Sequence, residues 1–195
     1  MNPTSLIRRP ITASDWHLAE RCARGCVVVI DDDGEILDAL RALLELEGYA
    51  CKTYPSALGY LQTLNDHLPA FPGPGCLLCD VRMPELDGLA LQQRLAALDD
   101  TPMLLMSGVS GAPEAVNAFH GGALDFLIKP IDDEVLLDAV ARALAISAER
   151  QHQRARRSEL AKRLATLTER EREIARRVTL GQRNLEIADE LGIAL

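Results

Sequence analysis

Apolar side chains along this chain recur in two alternating rhythms. Short apolar or β-prone runs, CVVVI at 26–30, ACKTY at 50–54, CLLCD at 76–80, MLLMS at 103–107 and ALDFLIK at 123–129, read as strands. Between and after them the spacing lengthens to three and four. Ile36, Leu37, Leu40, Leu43 and Leu44 run up to Gly48; Leu61 and Leu64, then Leu91, Leu95 and Leu98, follow; a further helix covers Pro113 to His120. Val135, Leu136, Ala139, Val140, Ala143 and Leu144 mark a long helix opening at Asp132, a good N-cap. Five strands alternating with five helices predict βα units and a mostly parallel sheet covered on both faces. Such crossovers are right-handed almost without exception, so the strands point one way and their carboxyl ends share one edge.

That edge gathers the polar chemistry. Asp31 and Asp32 end the first strand, Asp80 the third, Ser107 the fourth and Lys129 the fifth. After Asp80 the chain breaks through Met83-Pro84 and Asp87-Gly88 before a new helix, a strand–loop–helix passage. A lone aspartate at a strand end usually does no more than begin a turn, and the neighbours it keeps decide otherwise here. Ligands of such sheets bind outside the carboxyl ends, where the strand order reverses. Two carboxylates about 4 Å apart repel by roughly 4 kcal/mol at an effective dielectric of 20, so the set requires a cation. Oxygen ligands, few of them from protein, suit Mg²⁺ better than Ca²⁺. With the charge neutralised, one carboxylate can attack phosphorus to give an acyl phosphate, while Lys129 and the Ser107 hydroxyl hold transferring oxygens.

Composition narrows the classes. At 195 residues, 48% of them apolar, the chain suits one ordinary domain and something smaller. Residues 149–195 hold 11 Lys and Arg against 8 Asp and Glu, net +3, and residues 1–148 hold 10 against 21, net −11. A basic tail is compatible with nucleic acid, although a charge run is most often a solvated face. No apolar stretch reaches the roughly 18 to 20 residues of a membrane span. Arg8 and Arg9 precede Pro10 rather than a signal-peptide core, so a cytoplasmic protein is expected. Cys76 and Cys79 form a CxxC on paper, but residues three apart in a strand face opposite ways, so buried unpaired thiols are expected. Residues 1–25, with the sole tryptophan Trp16, read as an extension, with a short helix expected around Asp15 to Arg24.

VVVIDDD, LLCDVRMPELDGL, LLMSG and DFLIKP, in this order, resemble the receiver domain of two-component response regulators of the NarL/FixJ type. The resemblance implies a flavodoxin-like, doubly wound five-stranded parallel sheet over residues 26–146. It implies that Asp80 is the phosphoacceptor, that Asp31 and Asp32 are the acidic pair with Asp32 a direct Mg²⁺ ligand, and that Asp80 and the Arg82 backbone carbonyl complete the metal site. Ser107 then matches the switch hydroxyl, Lys129 the family lysine, and Phe126 the aromatic that follows the hydroxyl. It also implies a cis Lys129-Pro130 bond. Asp33 receives no role and is expected on the solvated surface. Ile131 stands where an aromatic is common, a packing variation.

The last helix continues without Pro or Gly into a charged stretch, giving a helical linker over 147–166. Leu160, Leu164 and Leu167 keep an apolar seam too short to establish a coiled coil, so a solvated linker and a dimer seam both stay open. Thr168 to Glu171 forms a capping box, Gly181 ends the helix it starts, and Asn184 to Leu191 makes a second helix closed by Gly192. LTEREREIARRVTLGQRNLEIADELGI over 167–194 resembles the first half of the helix-turn-helix module of LuxR-type outputs. The recognition helix that follows in that family is not in this sequence, so base readout would need a longer chain, and Arg176, Arg177 and Arg183 offer phosphate contacts at most.

The expected function is that of a response regulator, not an enzyme beyond its own phosphorylation and dephosphorylation. A sensor histidine kinase phosphorylates Asp80 with Mg²⁺, and homodimerisation and DNA-binding transcriptional output follow. A phosphorelay or stand-alone receiver acting through protein contacts is the alternative, and a CxxC redox protein a third.

Overall fold

The computed structural model describes residues 24–64, 73–98, 100–108 and 112–192. The short helix expected around Asp15 to Arg24 lies outside them except for its last residue. The elements are β1 (Cys26–Ile30), α1 (Gly34–Leu46), β2 (Ala50–Tyr54), α2 (Ala57–Leu64), β3 (Gly75–Asp80), α3 (Gly88–Ala96), β4 (Met103–Ser107), α4 (Ala112–His120), β5 (Asp125–Ile128), α5 (Asp133–Ala165), α6 (Glu169–Thr179) and α7 (Asn184–Leu191). The strands form one parallel sheet in the order β2-β1-β3-β4-β5. Strand order reverses between β1 and β3, which opens a crevice at their carboxyl ends.

Period-two alternation sorts the core into two layers. Val27, Val29, Cys76, Leu78, Leu104 and Met106 face Leu37 and Leu44 of α1 and Leu136, Val140 and Leu144 of α5. Val28, Ile30, Leu77, Cys79 and Leu105 face the opposite layer, with Tyr60 of α2, Leu91 of α3 and Ala118 of α4. Cys76 and Cys79 therefore lie in different layers and cannot meet, which removes the redox reading. Burial pushes the Cys76 thiol up to about 12 and Cys79 well above its ordinary value.

Two boundaries differ from the sequence reading. The run 123–129 contributes only Asp125–Ile128 as strand; Leu124 and Lys129 each give one flanking bond, to the carbonyls of Met103 and Ser107, both 2.8 Å. Helix α3 stops at Ala96, and Leu98, expected on its apolar stripe, lies beyond its end and is exposed. Asp33 is exposed, as expected, and has a role besides. Its carboxylate accepts the Glu35 and Ile36 N–H groups at 2.9 and 3.4 Å and caps α1.

The chain divides into two compact units, one through Arg150 and one from Gln151 onward. In the first, the receiver portion of α5 is tied to the lower rim of the sheet. The buried Ser147 hydroxyl accepts the Gly75 N–H at 3.0 Å, and Arg150 donates to the Asp100 carbonyl. In the second, Thr168 and Glu171 form the expected capping box. Gly181 (φ +80°) and Gly192 (φ +61°) end α6 and α7 in the left-handed region.

Candidate functional site

The site lies where β1, β3, β4 and β5 release their last residues. Asp31 is 1% exposed and Asp80 6%. A buried carboxylate must be paired or hydrogen-bonded, and both are. The Lys129 ammonium donates to Asp31 Oδ2 at 2.6 Å and to Asp80 Oδ1 at 2.5 Å. Each carboxylate's other oxygen accepts a backbone amide, Asp33 N–H on Asp31 at 3.0 Å and Arg82 N–H on Asp80 at 2.6 Å. Burial pulls the Lys129 pKa down, but its hydrogen bonds to the two carboxylates, joined by their charges, outweigh that and hold it above the ordinary lysine value.

Local structure explains these positions. Ladder bonds continue just past the strand ends, from Asp31 N–H to the Tyr54 carbonyl (3.2 Å) and from Val81 N–H to the Met106 carbonyl (2.8 Å), fixing both aspartates in the crevice. Lys129 leads into a cis bond to Pro130. Gly88, the first residue of α3, donates its N–H to the Val81 carbonyl at 2.9 Å. A Cβ at Gly88 would stand 2.3 Å from the Asp80 carbonyl oxygen, so only glycine admits this approach of helix to strand.

Of the residues singled out from the sequence, Asp31, Asp80 and Lys129 are in direct contact. Ser107 is buried at the end of β4, and Phe126 is half-buried against the layer holding α2, α3 and α4. Asp32 is exposed beside them. Among the described residues no three His, Cys, Asp or Glu side chains stand together as a metal-holding cluster, and the Lys129 ammonium lies between Asp31 and Asp80. The donor chemistry nonetheless fits a hard divalent cation. One ammonium offsets one of the two buried charges, and the carboxylates and the Arg82 carbonyl are all oxygen ligands.

The basic residues of the second unit separate. The Arg177 guanidinium is held by Glu173 (2.7 Å) and by Glu190, so it braces α6 against α7 rather than standing open for phosphate. Arg176 is exposed with a loose 3.7 Å pair to Glu173, and Arg183 is exposed at the N-cap of α7. Sequence reasoning missed the Arg82 amide, the Asp33 cap and the close approach at Gly88. The DG pair marked a turn, but only the neighbouring strand's position showed the steric need.

Residues 27–141 match the response regulator receiver domain family, and residues 165–195 match the luxR family of bacterial regulatory proteins. The chain belongs to the NarL/FixJ-type response regulators. This regulator is 34% identical over 179 residues to the response regulator protein TodT of Pseudomonas putida, covering 91% of this chain and 76% of TodT. To the transcriptional regulatory protein FixJ of Azorhizobium caulinodans it is 40% identical over 169 residues, covering 86% and 78%. Among solved structures, the response regulator StyR superposes with a TM-score of 0.74 at 35% identity, over 87% of this chain and 83% of StyR. Full-length FixJ from B. japonicum gives 0.58 at 35% identity, over 87% and 82%. Response regulators are signalling proteins rather than classical enzymes, and the luxR-family match identifies the output segment as of the DNA-binding type. No helix among the described residues is long and apolar enough to cross a membrane.

Proposed function

We propose that this regulator takes a phosphoryl group from a histidine kinase onto Asp80 and thereby controls dimerisation and DNA-binding transcriptional output. The observation that carries the reading is the Lys129 ammonium held between Asp31 and Asp80 at 2.6 and 2.5 Å. That arrangement leaves Asp80 buried, oriented by the Arg82 amide, and next to a cation that can change partners.

In the transfer, an Asp80 carboxylate oxygen forms the new O–P bond as the P–N bond of the phosphohistidine breaks. The imidazole leaves with its electron pair and takes up a proton. Lys129 then exchanges its bond to Asp80 for a phosphoryl oxygen while keeping Asp31, and the Ser107 hydroxyl donates to a second oxygen. Asp31, Asp32, Asp80 and the Arg82 carbonyl would hold Mg²⁺, which supplies the remaining positive charge for the phosphoryl oxygens.

The acyl phosphate carries about 1.5 to 2 negative charges where the Asp80 carboxylate carried one, in a crevice whose contacting ammonium, Lys129, is already shared with Asp31. Ser107 moves toward it, Phe126 follows inward, and the α4–β5–α5 surface shifts toward a dimer, a change of populations rather than of fold. Val116 and Phe119 of α4, Ile128 of β5 and Val135 of α5 lie exposed on those elements, which supports this choice of surface.

The test is labelling with a small phosphodonor and Mg²⁺. Wild type incorporates one phosphoryl group and none when Mg²⁺ is chelated beforehand, and Asp80→Ala incorporates none. Equal labelling of Asp80→Ala would sink the assignment.

A further inference from the structure

The distal half of α5 carries a charge pattern that phosphoryl chemistry does not use. Every residue from 152 to 166 is exposed. Between Gln151 and Leu164 the helix holds Arg154, Arg156, Arg157, Lys162 and Arg163 against Glu159. Arg163 pairs with Glu159 at 3.2 Å, but both are exposed, and such a pair exchanges readily with solvent or another anion. This stretch falls in the same compact unit as the luxR-family segment, not with the receiver.

The apolar seam does not favour a second copy of this helix. Leu160 and Leu164 are half-exposed, and the seam positions one heptad earlier are Gln153 and Arg157. In a parallel two-stranded coil Arg157 would face its own copy across the core, like charge against like. An anionic partner meets no such penalty. Arg156 and Arg163, seven residues apart on one helix face, are about 10.5 Å apart along the axis, and Arg157 lies beside Arg156. A duplex presents a backbone charge every ~1.7 Å of its axis, so two or three of these cations can meet phosphates at once.

We propose that the distal half of α5 is an accessory DNA-backbone surface, with Arg156, Arg157 and Arg163 contacting phosphates next to the helix-turn-helix. It rests on the DNA-binding reading of the output unit and deepens it. Because phosphate contacts carry no base information, this surface adds sequence-independent affinity and fixes how the output unit lies on the duplex.

The experiment is fluorescence anisotropy of the full chain on a random-sequence duplex from about 50 to 200 mM salt, the range over which each lost phosphate contact lowers the log–log slope by about 0.9. The double substitution Arg156→Gln with Arg157→Gln is expected to lower the slope by about 1.8 and to shrink the affinity ratio between the two salt limits about tenfold. Arg156→Lys with Arg157→Lys keeps the slope. Gln, Lys and Arg have similar helix propensity, and circular dichroism checks that the helix persists. If the glutamine pair leaves the slope unchanged while Arg176→Gln with Arg183→Gln lowers it, this surface is refuted and the DNA reading stands. A wild-type chain with no salt-dependent binding refutes both.

Discussion

Lys129 shows how much one side chain can carry. It bonds two carboxylates that are almost wholly buried, so its removal leaves two unpaired charges in the crevice. Breaking such a pair costs about 3 kcal/mol. Lys129→Met is therefore expected to lower the unfolding free energy by about that much in urea titration, and Mg²⁺ to restore more stability to the variant than it adds to wild type. Equal magnesium effects on the two proteins would argue that the cation does not share these carboxylates. The sign of the pH dependence follows from raised pKa values. A group whose folded pKa is raised contributes fully below its unfolded value and loses that contribution as pH rises through the folded one. Lys129 is raised, and burial pushes Cys51 to about 11 and Cys76 to about 12. Their contributions hold through neutral pH. They fade above about 8.5 for the thiols and about 10.4 for the lysine, the ordinary unfolded values. Unfolding free energy should accordingly fall steadily from pH 8.5 upward, and a rise over that interval would contradict the assignment.

At the scale of elements, the junction of β3 with α3 sets the position of the phosphoacceptor. The loop between them turns at Glu85, a non-glycine residue at φ +65°, where the Leu86 N–H reaches the Pro84 carbonyl at 2.7 Å. Gly88 then lets the helix start against the Asp80 backbone. Gly88→Ala is expected to cost about 1–3 kcal/mol, since the contact is with backbone that cannot rotate away, and to slow Asp80 labelling by shifting its carbonyl. Gly34 is the matched control. It also opens a helix, α1, but a Cβ there meets nothing within 4 Å. Gly34→Ala should be neutral or stabilising by up to about 1 kcal/mol. Thermal unfolding of the two variants separates them, and equal effects would mean that the close approach at Gly88 is not what requires glycine.

Across the whole molecule, stability is unevenly distributed. The first unit has an apolar layer on each face of its sheet. The second buries only Ile187 and Ala188 among its described residues and relies on the Thr168–Glu171 capping box and the Arg177 ion pairs. Small cores of this kind are marginal alone. Hydrogen exchange should show amides of β1, β3 and β4 protected to the global unfolding limit and those of α6 and α7 exchanging through a separate, lower-energy opening. Uniform protection across both would show that the chain unfolds as one body.

The order of runs and breaks along the chain was enough to give five parallel strands, the edge that holds Asp31, Asp80, Ser107 and Lys129, the capping box at Thr168 and the family. Those features depend on local periodicity and on residue types whose chemistry is the same wherever they sit. Other features needed distances between segments remote in sequence. Lys129 joins Asp31 across 98 positions, Arg177 is consumed by Glu190 on the next helix, and Gly88 is forced by the strand it touches. Asp33 looked spare until the start of α1 passed over it. A side chain's type sets what it can bond, but its partner is chosen by packing, and packing is a property of the folded chain.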